Sequence, residues 1–136
     1  MPKPIPKIAK FMTTVPISLE SRAKLTEAHA AMRENKVRHL PIVDDGVLLG
    51  LLSLSDLHLI ETLKDVNPAE VEVRDAMTRE PFSVSCEAPI DEVADEMAER
   101  KIGSAIVLDA GRVVGIFTAT DALRALADTV RTRSHG

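Results

Sequence analysis

Gly50-Leu51-Leu52-Ser53-Leu54-Ser55-Asp56, GLLSLSD, ends an apolar run in two hydroxyls and a carboxylate, and Gly115 to Asp121, GIFTATD, repeats that order. The recurrence extends far beyond these residues. A shift of 65 residues superimposes residues 12–60 on residues 77–125 without a gap. It matches Met12 with Met77, Pro16 with Pro81, Ala23 with Ala88, Glu27 with Glu92, Met32 with Met97, Asp44 with Asp109, Gly46 with Gly111, Gly50 with Gly115 and Asp56 with Asp121. Conservative pairs such as Leu25/Ile90, Val37/Ile102, Leu52/Phe117 and Ser53/Thr118 lie between these identities, so the chain is an internal duplication.

Each copy changes its periodicity in the same order. A short extended stretch, Pro16-Ile17-Ser18-Leu19 or Pro81-Phe82-Ser83-Val84, precedes a helix. The helix carries a stripe of period 3.6: Leu25, Ala28 and Met32 in one copy, Ile90, Val93, Ala94 and Met97 in the other. Two strands follow. In the first copy they flank Asp44-Asp45-Gly46, a strong hairpin signal, which Asp109-Ala110-Gly111 repeats less ideally. Their apolar residues are consecutive, not alternating, which predicts strands covered on both faces. Ser55 and Thr120, each followed by an aspartate, are expected to cap a last helix. The fold class is therefore α+β, with the order β-α-β-β-α written twice.

The boundaries predicted from this pattern are an N-terminal arm at 1–10, a first repeat at 11–64, a linker at 65–73, a second repeat at 74–128 and a tail at 129–136. Lys3, Lys7 and Lys10 read as a solvated arm, and Pro68 discourages one continuous helix between the repeats.

Composition narrows the function. A chain of 136 residues with 45% apolar content suits a globular protein with a packed core. A net charge of -4, no Trp, no Tyr and three Phe provide neither a basic face nor stacking platforms for nucleic acid. No apolar run is long enough to span a bilayer, and the start of the chain lacks the apolar middle of a signal peptide; the expectation is a cytoplasmic protein without membrane insertion. Cys86, the single cysteine, has no partner for an internal disulfide, consistent with a reducing compartment.

With these elements in place, the chain resembles the CBS domain, and specifically the tandem pair called a Bateman module, as a stand-alone protein. The residues that carry the resemblance are Met12-Thr13 with Pro16, Val37 through Asp44, and Gly50 through Asp56. In the second copy they are Met77-Thr78 with Pro81, Ile102 through Asp109, and Gly115 through Asp121. The resemblance implies two repeats related by a pseudo-twofold axis, frequent assembly into a homodimer, and clefts between the repeats that bind adenosine-containing ligands. AMP, ADP, ATP, NAD and S-adenosylmethionine are the ligands to consider, and the implied role is energy sensing that acts allosterically on a separate, unidentified protein. No cofactor is required; the nucleotide is a regulatory ligand.

Chemistry at the opening stretch agrees with that implication. A ribose offers two vicinal hydroxyls, and the carboxylates of Asp56 and Asp121 can accept hydrogen bonds from both. Ser53 and Thr118, at a strand end before a helix, suit neighbouring ribose or phosphate oxygens. By the resemblance, main-chain groups of Val37 and His39, or of Ile102 and Ser104, read the base, with Thr13, Ile17, Thr78 and Phe82 as walls. The expected set for the first repeat is Thr13, Ile17, Val37, Arg38, His39, Ser53 and Asp56. For the second it is Thr78, Phe82, Ile102, Ser104, Thr118, Asp121 and Arg124. The basic residues differ: Arg38 and His39 flank the first, whereas Gly103 and Ser104 replace them and Arg124 stands one turn beyond Asp121 in the second. The two sites are thus expected to be inequivalent.

Leu57, Leu59, Ile60 and Leu63, like Ala122, Leu123, Ala125 and Leu126, cover more of a helix than one buried stripe needs, which predicts a dimer. Catalysis is not expected. The chain has no nucleophile elbow, Walker-type phosphate loop or H-x-x-x-H pair, and no metal site is expected. The alternative to a sensor is a ligand-independent dimerisation scaffold.

Overall fold

In the computed structural model, which describes residues 4–15 and 17–135, the elements in chain order are β1 (Thr13–Thr14), α1 (Leu25–Asn35), β2 (His39–Asp44), β3 (Val47–Ser53), α2 (Leu54–Glu61), β4 (Thr78–Arg79), β5 (Ser83–Ser85), α3 (Ile90–Arg100), β6 (Ser104–Asp109), β7 (Arg112–Thr118) and α4 (Ala119–His135). Short 3-10 turns stand at Ile8–Lys10 and Val73–Asp75. The duplicated α+β order read from the sequence is present. No helix among the described residues is long and apolar enough to cross a membrane.

The chain divides into two compact units, Val15–Pro81 and the combination of Met1–Thr14 with Phe82–Gly136. Compact unit and sequence repeat are therefore offset: the opening segment of each repeat packs with the other one. In the Val15–Pro81 unit the sheet order is β2-β3-β4. Leu25, Ala28 and Met32 of α1 bury the predicted stripe against Leu40, Ile42, Leu52, Leu57 and Val73. In the second unit the order is β1-β7-β6-β5, and Ile8, Val93, Met97, Ala105, Val107 and Phe117 form the core. Full burial of a side chain of this size contributes about 1.5–3 kcal/mol, so the buried 3-10 residues Ile8 and Val73, 0% exposed in both cases, anchor their segments firmly.

Three expected boundaries change accordingly. Of the expected arm, the described residues 4–10 are tied to the second unit: Ile8 N–H donates to Ala88 O at 2.8 Å, Ile90 N–H donates to Pro6 O at 2.9 Å, and exposed Lys7 pairs with Glu87. That carboxylate raises the Lys7 pKa above its ordinary value. Lys3 lies outside the described residues. The end of the 65–73 linker is likewise part of a unit, since Val73 N–H donates to Ala23 O at 2.7 Å and Leu25 N–H donates to Val71 O at 2.9 Å. The 129–136 tail is largely helical, because α4 runs on to His135 with no Gly or Pro to stop it, and Thr129 and Thr132 bond back to Ala125 O and Asp128 O.

Both hairpins turn on two residues of positive φ, Asp45 (49°) with Gly46 (80°) and Ala110 (51°) with Gly111 (82°), the signature of type I′ turns. The buried strand residues are consecutive, as Leu40-Pro41-Ile42 and Ala105-Ile106-Val107, in keeping with the apolar runs.

The extended stretch before the first helix differs between copies. Ser83–Ser85 pairs in parallel with β6, whereas Leu19 makes only an isolated parallel bridge to Ile42, and Pro16 lies outside the described residues. Proline chemistry accounts for the loss. Ile106 N–H donates to Phe82 O at 2.8 Å, but the matching position is Pro41, which has no N–H to give. A second substitution acts in the same place: Cys86 N–H joins the ladder at Leu108 O, while its counterpart Ser21 turns both its amide (2.9 Å) and its hydroxyl (2.5 Å) to the Asp44 carboxylate.

Candidate functional site

The glycines of the opening stretch are what bring a site together. A Cβ on Gly115 would stand 2.8 Å from both Met12 Sδ and Thr13 O, and one on Gly50 would stand 2.6 Å from Thr78 O. Only glycine lets a neighbouring backbone approach this closely. β1 therefore lies on β7 with Thr13 opposite Ile116, and β4 lies on β3 with Thr78 opposite Leu51.

This pairing groups the residues differently from the two expected sets. Thr13 belongs with Thr118 and Asp121 of the second repeat, and Thr78 belongs with the unit that holds Ser53 and Asp56. Adjacency along the chain puts Met12-Thr13 at the start of the first repeat, but the antiparallel ladder puts it on the second.

The helix starts are corrected as well. Ser53, not Ser55, caps α2: Asp56 N–H donates to Ser53 Oγ at 3.1 Å, and Ser53 N–H donates to Asp56 Oδ2 at 3.1 Å. This reciprocal arrangement is a capping box. Thr118, not Thr120, plays the same part at α4, where Asp121 N–H donates to Thr118 Oγ1 at 3.3 Å and Thr118 N–H donates to Asp121 Oδ2 at 2.9 Å. The cap is the residue at which the backbone leaves the extended region, and Ser53 at φ -105° and ψ 157° is that residue.

Around each carboxylate the expected neighbours fall into two groups. His39 stands opposite Ser53 in the β2–β3 ladder, and Ser104 opposite Thr118 in the β6–β7 ladder. Leu54 N–H donates to Arg38 O at 2.8 Å and Ala119 N–H donates to Gly103 O at 3.1 Å, which holds the start of β2 and of β6 against the first turn of the following helix. Arg38 and Arg124 are exposed. The remaining expected residues are packing residues: Ile17 and Val37 lie against the first core, Phe82 and Ile102 against the second. Phe82 also carries the Arg100 guanidinium over its ring, 4.8 Å from the centroid, a contact with no signal in the repeat pattern.

An open depression of about 200 Å³ lined by Glu20, Ser21, Arg22, Asp44 and Asp45 lies elsewhere in the Val15–Pro81 unit. Its central carboxylate is engaged: the Ser21 hydroxyl and then the Ser21 amide hold the Asp44 pKa below its ordinary value. Among the described residues no group of three or more His, Cys, Asp or Glu could hold a metal ion.

Two matched units of mixed strand and helix, each with a hydroxyl and a carboxylate at the junction after its central hairpin, define a tandem-repeat α+β protein. The chain belongs to the CBS domain family, whose model matches residues 8–59 and 73–128, and it is a tandem CBS pair. Those limits begin at Ile8 and Val73, the two buried 3-10 residues.

Among curated relatives, the L-aspartate semialdehyde sulfurtransferase of Methanocaldococcus jannaschii is 31% identical over 126 residues, 91% of this chain and 24% of that protein. The chain thus spans about a quarter of that relative's length. Solved structures match over nearly their whole length. The CBS domain pair of protein MJ0100, in complex with 5′-methylthioadenosine and S-adenosyl-L-methionine, is 28% identical with a TM-score of 0.80, covering 93% of this chain and 99% of that one. CBSX2 in complex with AMP is 27% identical with a TM-score of 0.73, covering 90% and 97%.

Proposed function

We propose that the protein is a regulatory module that binds adenosine-containing nucleotides, with Ser53 and Asp56 in one repeat and Thr118 and Asp121 in the other as the ribose-contacting groups, and that it signals allosterically to a separate partner protein. The observation that carries the reading is the state of Asp56. It is partly exposed, its Oδ2 accepts one hydrogen bond from Ser53 N–H, and its Oδ1 accepts none among the described residues. A partly exposed carboxylate with open lone pairs at a helix N-terminus suits a vicinal diol, and the exposed Arg38, whose carbonyl holds Leu54 N–H in the same helix turn, suits a phosphate. The MJ0100 and CBSX2 complexes, which hold adenosine compounds in the same fold, support the choice of ligand class.

No catalytic role is part of this reading, since the two carboxylates occupy duplicated positions and do not form a differentiated acid–base pair. Homodimerisation belongs to it. Leu59 (66% exposed) and Leu63 on and after α2, and Leu123 (66%), Leu126 and Val130 on α4, form apolar surfaces that a second copy would cover. A nucleotide that favours one arrangement of such an assembly would be read out by the partner.

A thermal-shift panel of AMP, ADP, ATP, NAD and S-adenosylmethionine tests the reading, because a ligand at a hundred times its dissociation constant stabilises the protein by about 2.7 kcal/mol. A melting point indifferent to all five overturns it in favour of a ligand-independent dimerisation scaffold.

A further inference from the structure

The two repeats place the same residue types in the same register, yet their carboxylates are in different states. Among the described residues, Asp56 uses one of its roughly four lone-pair positions, for the bond from Ser53 N–H. Asp121 uses three. Its Oδ2 accepts the amide of Thr118 at 2.9 Å and the Thr118 hydroxyl at 3.1 Å, and its Oδ1 accepts the Thr13 hydroxyl at 2.9 Å. Asp121 is only 4% exposed, whereas Asp56 is partly exposed. Thr78, which matches Thr13 in the repeat and in strand register, makes no such bond to Asp56.

From this we propose that Thr13 is a latch on Asp121, holding the second repeat's ribose-binding carboxylate closed until ligand displaces the hydroxyl. The proposal rests on the nucleotide reading above. A vicinal diol needs one free acceptor position on each carboxylate oxygen. Asp56 offers both, while Oδ2 of Asp121 is filled by Thr118 and Oδ1 is shared with Thr13. Opening the site takes rotation of the exposed Thr13 side chain, on a two-residue edge strand, away from Oδ1 and a turn of the Thr118 hydroxyl away from Oδ2, local changes that leave the core of the unit in place. The functional consequence is ordered occupancy: the Asp56 site fills first and the Asp121 site responds at higher nucleotide concentration, so one chain reports two concentration ranges.

The test is an AMP titration of the full chain followed by two-dimensional NMR, with the Ser53 and Thr118 amides reporting the two sites separately. In the wild type the Ser53 signal is expected to reach its midpoint at an AMP concentration at least fivefold below that of Thr118. Thr13→Val keeps the β-branched shape that suits β1 and removes the hydroxyl. It is expected to lower the Thr118 midpoint about tenfold, the equivalent of 1.4 kcal/mol, and to leave the Ser53 midpoint unchanged. Equal midpoints for the two amides in the wild type, or an unchanged Thr118 midpoint in the variant, overturn the latch while leaving the nucleotide reading intact. Weaker AMP binding at Thr118 in the variant overturns it too, by making Thr13 a ligand contact. No response at either amide in either protein to AMP or to any of ADP, ATP, NAD and S-adenosylmethionine removes the nucleotide reading and the latch together.

Discussion

Gly115→Ala tests the swapped strand β1 directly. The added Cβ would meet Met12 Sδ at 2.8 Å, Thr13 O at 2.8 Å and Met12 Cγ at 3.1 Å. The methionine can swing aside, but Thr13 O is backbone in the β1–β7 ladder, so β1 has to retreat by several tenths of an ångström. Only two residue pairs hold that strand, Thr13 with Ile116 and Thr14 with Gly115, and the retreat weakens both while pulling on Ile8, which is fully buried a few residues upstream. Overpacking of this kind costs about 1–3 kcal/mol, and the backbone partner places the expectation at about 2 kcal/mol. Urea denaturation should show it as a lower midpoint at unchanged slope, and amide exchange at Thr13 and Thr14 should speed up more than exchange in β6. Gly103→Ala is the matched control: its Cβ would meet nothing within 4 Å, so a change within about 0.5 kcal/mol is expected. If Gly115→Ala is as stable as Gly103→Ala, the close-approach account of the swapped strand is wrong.

Three further outcomes are expected. Ser53→Ala should destabilise by about 1 kcal/mol through loss of the cap, while Ser55→Ala should change stability by less than about 0.5 kcal/mol; equal effects in thermal unfolding would contradict the assignment of the cap. Ala110→Asn should stabilise by about 1 kcal/mol, because Ala110 holds a φ of 51° that asparagine tolerates and alanine does not, and a lowered melting point would count against the type I′ description. Asp44 is a carboxylate whose pKa is lowered below its ordinary value of 3.8 by Ser21, so its stabilising bonds are fully present above that value and are lost as pH falls through the lower folded-state value. Asp44→Asn should therefore be less stable than wild type at pH 6 and show a shallower loss below pH 4 in acid titration; identical acid limbs would refute the Ser21–Asp44 account.

Much of the fold was legible because duplication doubles every signal. A stripe such as Leu25-Ala28-Met32 is weak alone, but Ile90-Val93-Met97 at the same spacing makes it a helix, and Asp45-Gly46 explains a hairpin at the less favourable Ala110-Gly111. The misread positions have local causes. Ser55 and Thr120 look like caps because each precedes an acid, yet the cap falls two residues earlier, where the strand ends and Asp56 or Asp121 can reach back to close the box. The missing strand at Ile17–Leu19 was written in Pro41, whose absent N–H matters only once its parallel neighbour is known. The anchoring of Ile8 and Val73 was hidden because the match before residue 12 is one of burial and not of identity.

Of the site, the residue types and their registers were readable: a hydroxyl at 53 and 118, a carboxylate at 56 and 121, a basic residue at 38 in one copy alone. The sequence by itself determined the element order, the duplication and the chemical groups, since periodicity, turn residues and capping act over a few positions of chain. Tertiary structure alone decided which copy each Met-Thr segment joins, because strand pairing across about a hundred residues depends on where a Cβ-free position admits a neighbour. It also decided that Asp121 accepts the Thr13 hydroxyl while Asp56 accepts no such bond from Thr78, a contact between segments that the chain sequence places 108 residues apart.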